Sequence, residues 1–235
     1  MLNREPNHSI ANRLDQDWID CVEGKAGSVR DADIYPKLRV WAQQTSPSMV
    51  LEIGCGQGAC SQHVAQTDRQ YFGIDSSAVM ISRANTVYRD SSASFVVGTA
   101  DRLPFSDGSF DAAYSVAVWH LLEDLRAVAN ELSRVLRSGG DFLIMTANPG
   151  NYSAWKGRYE ANVTHGKRFE GKARFADGTA YTEVLYLQSL EELTGSLEAA
   201  GLTVDTTQTF RPGQNGLDIH VVIRGRKREA DRLQS

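Results

Sequence analysis

Three cysteines in 235 residues are too few, and too odd in number, to frame a disulfide-stapled domain. Cys21, Cys55 and Cys60 have no histidine or cysteine cluster beside them at zinc spacing, so no metal site is expected. No run of about 18 apolar residues occurs, which excludes a membrane-spanning helix. The opening MLNREPNHSIANRLDQDW lacks the basic, apolar and small-residue order of a secretory signal. A cytoplasmic protein with reduced thiols is the expectation. Positive charge is not in excess either: 25 Lys and Arg face 29 Asp and Glu, a net charge of −4. Such a chain is not built as a whole to wrap nucleic acid, although local basic patches remain open. Internal repeats and low-complexity segments are also missing. What is present, 41% apolar and 23% charged residues with 20 Gly, is the make-up of one globular domain.

The first 46 residues read as helical. Ile10, Leu14, Trp18 and Cys21 share one helix face, EGKAGS at 23–28 breaks it, and Ile34, Leu38 and Trp41 mark a second helix. Short apolar runs then alternate with helical stretches. Strands are expected at 49–53, 70–74, 94–97, 110–116 and 141–145. Leu121, Leu125, Val128, Leu132 and Val135 form a helical stripe that Gly139-Gly140 stops. Strands alternating with helices predict a parallel sheet covered on both faces, an α/β fold. Residues 151–186 break the pattern and are rich in aromatics, with Asp177-Gly178 as a hairpin turn between strands at 169–175 and 179–187. A helix at 190–200 and strands at 202–210 and 217–224 follow, then a polar tail.

Val50 to Gly58, VLEIGCGQG, carries most of the information. An apolar strand runs directly into Gly54, Gly56 and Gly58, and glycines there let the backbone turn tightly and approach a ligand. The spacing is G-x-G-x-G, not the G-x-G-x-x-G of dinucleotide sites, and no P-loop Gly-Lys-Ser/Thr follows. That disfavours a nicotinamide oxidoreductase. Asp75 closes GID after the second strand, where a carboxylate can accept two hydrogen bonds from a ribose diol; the bland alternative is a cap on the next helix. GTADRLPF at 98–105 places Asp101 just past the third strand, with Leu103 to Phe105 as apolar cover.

In order and spacing, VLEIGCGQG, GID, GTADRLPF, SFDAAYSVAVWHLLED and ELSRVLRSGGDFLI resemble the class I S-adenosylmethionine-dependent methyltransferases, and most closely their small-molecule branch. The resemblance covers roughly residues 48–146 and implies a Rossmann-like, seven-stranded, mostly parallel sheet with a reversed last strand. It further implies S-adenosyl-L-methionine as cofactor and S-adenosyl-L-homocysteine as product. In its terms Glu52 orients the loop, and Gly54, Cys55, Gly56 and Gly58 wrap the methionine and ribose. Asp75 holds the ribose hydroxyls and Ser76 lies beside the adenine. Ala100, Asp101 and Arg102 meet the adenine edge, and Val116 and Ala117 the methionine end. Trp119-His120 stands where this branch often carries a histidine pair. The expected division is a helical cap at 1–46, a cofactor-binding core at 47–150, a substrate-lid insert at 151–186, a helix and two strands at 187–225, and a polar tail at 226–235.

Methyl transfer from a sulfonium is an in-line displacement by an oxygen, nitrogen or carbon nucleophile. The protein's main task is alignment, and a general base adds to it for a protonated acceptor. His120 and His165 are the candidate bases, with His220 reading as a strand position. The insert follows the fifth strand on the edge where open α/β sheets bind ligands, so Tyr152, Trp155 and Tyr159, with Tyr35 and Trp119-His120, are the candidate substrate contacts. Ordinary hairpin packing explains the same aromatics. The expected partner is a small-molecule metabolite, with aromatic compounds among the candidates, and the protein is expected to be a monomer or homodimer. Two alternatives stay open: an RNA-modifying methyltransferase, on the basic run from Arg224 to Arg232, and a cofactor-binding protein that does not methylate.

Overall fold

A computed structural model describes residues 8–23, 30–65, 69–89, 92–152, 156–157, 159–175, 177–210 and 220–229. Two helices come first, α1 (His8–Glu23) and α2 (Tyr35–Thr45), the second entered through a π turn at Arg30–Ile34. The alternating part follows as β1 (Met49–Ile53), α3 (Ser61–Val64), β2 (Gln70–Asp75), α4 (Ala78–Val87), β3 (Ala93–Val97), β4 (Phe110–Val116), α5 (Leu125–Val135) and β5 (Leu136–Ala147). After β5 come β6 (Ala161–His165), β7 (Arg168–Arg174), β8 (Ala180–Tyr186), α6 (Leu190–Ala199), β9 (Leu202–Phe210) and β10 (His220–Lys227).

Seven strands form one sheet in the order β3-β2-β1-β4-β5-β10-β9. β1 to β5 run parallel, and β10 is antiparallel to both β5 and β9, so one strand is reversed. This is the Rossmann-like methyltransferase architecture. The parallel strands are apolar on both faces because helices cover both faces. Leu51, Ile53, Ile74 and Ile144 pack against α5 and α6 on one side. Val50, Tyr71, Tyr114, Leu143 and Met145 pack against α2 and α4 on the other.

α5 shows how local chemistry sets an element. Asp124 caps it by accepting from the Ala127 amide, and Leu125, Val128, Leu132 and Val135 are buried along one face. Leu121, expected in this stripe, lies instead in a single 3-10 turn at Trp119–Leu121 and is exposed. Gly139-Gly140 does not stop the helix, which ends at Val135; both glycines lie inside β5, where the pairing with β4 shifts register. A side chain at Gly140 would crowd the carbonyls of Arg137 and Asp111 at 2.9 and 3.0 Å. β10 is described from His220 on; residues 217–219, also expected in this strand, lie outside the described residues.

The insert is a three-stranded antiparallel sheet, β6-β7-β8, where a two-stranded hairpin was expected. β6 was not anticipated because ANVTH carries only two small or medium apolar residues and every residue of it is exposed, so no buried face marks the strand. The β7–β8 turn does fall at Asp177-Gly178, with Gly178 at φ +86°.

Candidate functional site

The site is built where the strands end. The amides of Gly54 and Cys55 both donate to the Ile74 carbonyl, at 2.8 and 3.0 Å, and pin the glycine loop to the end of β2. Gly54, Gly56 and Gly58 adopt φ of +74°, +53° and +80°, a region that disfavours a side chain. A Cβ on Gly54 would run into Val118, and one on Gly58 would meet the Phe95 ring at 2.8 Å. Gly56 differs. The nearest atoms to its Cβ position are Met80 Sδ and Trp18 Nε1, each 4.0 Å away, so the backbone there is open to a ligand.

Asp75 faces that opening. Its Oδ2 accepts from the Gly56 amide at 2.8 Å and its Oδ1 from the Ser77 amide at 2.9 Å. Even with the Ser76 amide also acting on it, these amides do not fill a carboxylate's roughly four acceptor positions. The side chain is half-buried, and burial pushes its pKa up against the lowering effect of the Ser77 and Gly56 amides. It is not the helix cap: Ser77 caps α4 by accepting from the Met80 amide.

The next loop is tied to the same point, since the Gly98 amide donates to the Asp75 carbonyl at 2.9 Å. α5 holds it from behind. Glu131 accepts from the Leu103 amide at 2.6 Å, and Arg134 donates to the Leu103 and Phe105 carbonyls at 2.9 and 2.7 Å. This leaves Asp101 and Arg102 exposed and Ala100 half-buried, and Ser76, next to Asp75, is exposed as well.

Glu52 lies beneath the loop with 1% of its surface exposed. Its Oε2 accepts from the hydroxyls of Tyr71 and of Tyr114, the latter at 3.0 Å, and both tyrosines come from the strands flanking β1. Burial pushes the carboxyl up to about 7, partly offset by those hydrogen bonds. The same burial raises both tyrosines well above their usual range. Cys55 and Cys60 are buried, and burial raises both thiols, so neither is a reactive thiolate.

At the ends of β4 and β5 the backbone is strained. Ala117 adopts φ +61° and donates to the Met145 carbonyl at 2.8 Å, and the next residue, Val118, packs over Gly54. Val116 precedes it and is buried. His120 is anchored twice to Thr146 Oγ1, by its amide at 3.2 Å and its Nδ1 at 3.1 Å. Lys37, Phe210 and His220 gather at the same sheet edge: His220 stacks on Phe210 at 5.2 Å and the Lys37 ammonium lies 4.5 Å from that ring.

The structure therefore brings together the loop residues 52–58, Asp75, Ser76, Ala100, Asp101, Arg102, Val116, Ala117 and His120 along one edge. It separates others. Trp119 is 1% exposed and sits in the core against α5, so its ring serves packing rather than a substrate. Tyr35 is buried and stacks on His63 at 3.9 Å. Tyr152 donates to the Gln188 carbonyl at 3.1 Å, and Tyr159 donates to Glu183 at 2.6 Å and packs on Phe169; both hold the insert together. His165 is exposed at the tip of β6. Trp155 lies outside the described residues. In the basic run, Arg224 donates to Gln44 and Arg226 pairs with Asp205, while residues 230–232 lie outside the described residues.

Sequence reasoning missed Arg13, Asp15 and Thr146, whose roles depend on contacts distant in the chain. Arg13 meets residues of the β7–β8 turn, and Asp15 Oδ2 accepts from Ser77 Oγ at 2.5 Å. No local pattern marks such pairs.

No cluster of metal-ligating side chains occurs among the described residues. The chemistry present, an open glycine backbone beside a carboxylate with spare acceptor positions, fits a ribose-bearing ligand. α3 is only four residues long, too short to offer the helix end that a dinucleotide pyrophosphate uses.

Residues 51–144 match a family described as a methyltransferase domain. A fatty-acid O-methyltransferase of Mycolicibacterium smegmatis is 38% identical over 102 residues, 43% of this chain and 37% of that protein. The chain spans less than half the length of the curated relatives it matches. A S-adenosylmethionine-dependent methyltransferase of Methanosarcina mazei has the same fold, with TM-score 0.65 and 24% identity over 77% of this chain and 93% of that one. So does a 1,6-didemethyltoxoflavin-N1-methyltransferase of Burkholderia thailandensis, solved with S-adenosylhomocysteine bound, with TM-score 0.61 and 16% identity over 97% of this chain and 93% of that one. The glycine loop, the reversed strand and the domain match agree: residues 51–144 are a methyltransferase domain, set in the class I S-adenosylmethionine-dependent methyltransferase fold.

Proposed function

We propose that the protein transfers a methyl group from S-adenosylmethionine to an oxygen, nitrogen or carbon nucleophile of a small molecule. The observation that carries this is Asp75, bonded to the amide of Gly56 at 2.8 Å beside a loop that leaves Gly56 open. The cofactor supplies a methyl group already activated on positive sulfur. This chain's residues bind and align. Asp75 accepts the ribose hydroxyls, Asp101 accepts from the adenine amino group, and the loop backbone follows the methionine. Ala117 and Val118 shape the methyl end of the cleft. His120, held by Thr146, is the base for an acceptor that must lose a proton. Exclusion of water falls to α1 and the insert, which close the same edge.

The relative named for fatty-acid O-methylation makes a carboxylate oxygen the first acceptor to test. The RNA reading has weaker support, because Arg224 and Arg226 are engaged by Gln44 and Asp205. Methyl-labelled S-adenosylmethionine incubated with the protein and a panel of fatty acids, phenols and amines, and in parallel with total RNA, tests the proposal. Labelled product with at least one small acceptor, lost in His120→Ala only for acceptors that carry a proton, is expected. No product from the panel, with label entering RNA instead, would contradict it.

A further inference from the structure

α1 touches both halves of the site. Near its C-terminal end, the Ile19 carbonyl accepts from Gln57 Nε2 of the glycine loop at 3.2 Å. Trp18 reaches the open side of Gly56, with Nε1 4.0 Å from the Cβ position there, yet its ring is 43% exposed. One turn earlier, Asp15 shares Ser77 with Asp75: Asp15 takes the hydroxyl at 2.5 Å and Asp75 the amide at 2.9 Å. In the N-terminal half of α1, Arg13 grips the insert three ways. Its guanidinium lies 4.0 Å from the Phe175 ring centroid, donates to Thr179 Oγ1 at 3.2 Å and pairs with Asp177 at 2.7 Å. Asp177, which accepts from the Thr179 amide and from Arg13, is held down to about 2.

We propose that Arg13 is a positioning residue that couples cofactor occupancy to closure of the β6-β7-β8 insert. The inference rests on the cofactor reading above. A ribose on Asp75 lies under Asp15 and Trp18, so it covers the exposed Trp18 ring and places hydroxyl donors between two carboxylates that otherwise repel. Both effects favour the docked position of α1. Arg13 passes that preference to the turn at Phe175–Thr179, because a helix moves as a unit from Ile19 to Arg13, a span of about 9 Å. Asp177 is exposed and Arg13 partly so, so the ion pair alone is a weak link. The cation–π contact with the buried Phe175 ring adds to it. A coupling of about three- to tenfold is the scale such contacts support, and it is reciprocal.

Hydrogen exchange with and without S-adenosylhomocysteine, alongside calorimetric titration of the same ligand, tests this on the full chain. In the wild type, ligand binding is expected to slow exchange at 168–175 and 180–186, which contain none of the proposed cofactor contacts. In Arg13→Gln, and in Asp177→Asn made from the insert side, the ligand still binds, no more than about tenfold more weakly, and protection of the insert is lost. A merely structural Arg13 would alter exchange equally with and without ligand. Ligand binding in the wild type without slower exchange in the insert, or protection retained in Arg13→Gln, overturns the inference alone. No binding to the wild type overturns the cofactor reading and this inference with it.

Discussion

The cofactor edge and the cap-and-insert region are built from opposite materials. At the edge, backbone does the work: glycines at positive φ, amides on Asp75, and loops tied to strand ends by hydrogen bonds of 2.8 to 3.0 Å. In the insert, side chains do it: Tyr159 on Phe169, Phe175 against Tyr181, and Arg13 reaching across from α1. Backbone geometry holds a ligand common to many relatives, because few sequences satisfy it. Side-chain packing can be rebuilt around different acceptors without disturbing the loop. The difference explains why one face of the protein declares its ligand and the other does not.

Replacing Phe169 by alanine should break the two regions apart. Its ring is fully buried in the small sheet, so about 3–5 kcal/mol of packing is lost there. Exchange in 161–186 should rise sharply while S-adenosylhomocysteine still binds within about tenfold of wild type, a ceiling set by the coupling through Arg13. Loss of all ligand binding would show that the insert and the loop form one unit. Gly54→Ala attacks the other side. The substitution forces Cβ into Val118 at φ +74°, at a cost of about 2–4 kcal/mol. Ligand affinity should collapse while insert exchange in the free protein stays near wild type.

A smaller effect separates Glu52 from the ligand. Its carboxyl is pushed from 4.5 to about 7 by burial, so the native state holds this proton more tightly than the unfolded chain does. That stabilisation is complete below about pH 4.5 and is lost as pH rises through about 7. The thermal midpoint of the wild type should fall over that interval, and in Glu52→Gln the fall should flatten. An identical slope in both proteins would remove Glu52 as its source.

Legibility in the sequence followed the same division. β1, β2 and β4 were readable because parallel strands buried on both faces are continuous apolar runs, and the three glycines mark the loop that follows β1. β6 was not, because ANVTH is exposed throughout. Trp119 was placed at the substrate by its position in the motif; packing decided otherwise, since an indole beside Leu125 and Val128 is better buried than wet. Arg13 and Asp15 were invisible because their partners lie 166 and 62 residues away. Asp75 was visible, but only the structure separates it from the cap on α4, a role that Ser77 fills.

The measurement closest to the central claim is calorimetric titration of S-adenosylhomocysteine into the wild type and Asp75→Ala. Two charge-assisted hydrogen bonds to a ribose diol are worth enough that their loss should weaken binding about a hundredfold from a micromolar value. Equal affinity in the two proteins would contradict the assignment of Asp75, and with it the account of the site.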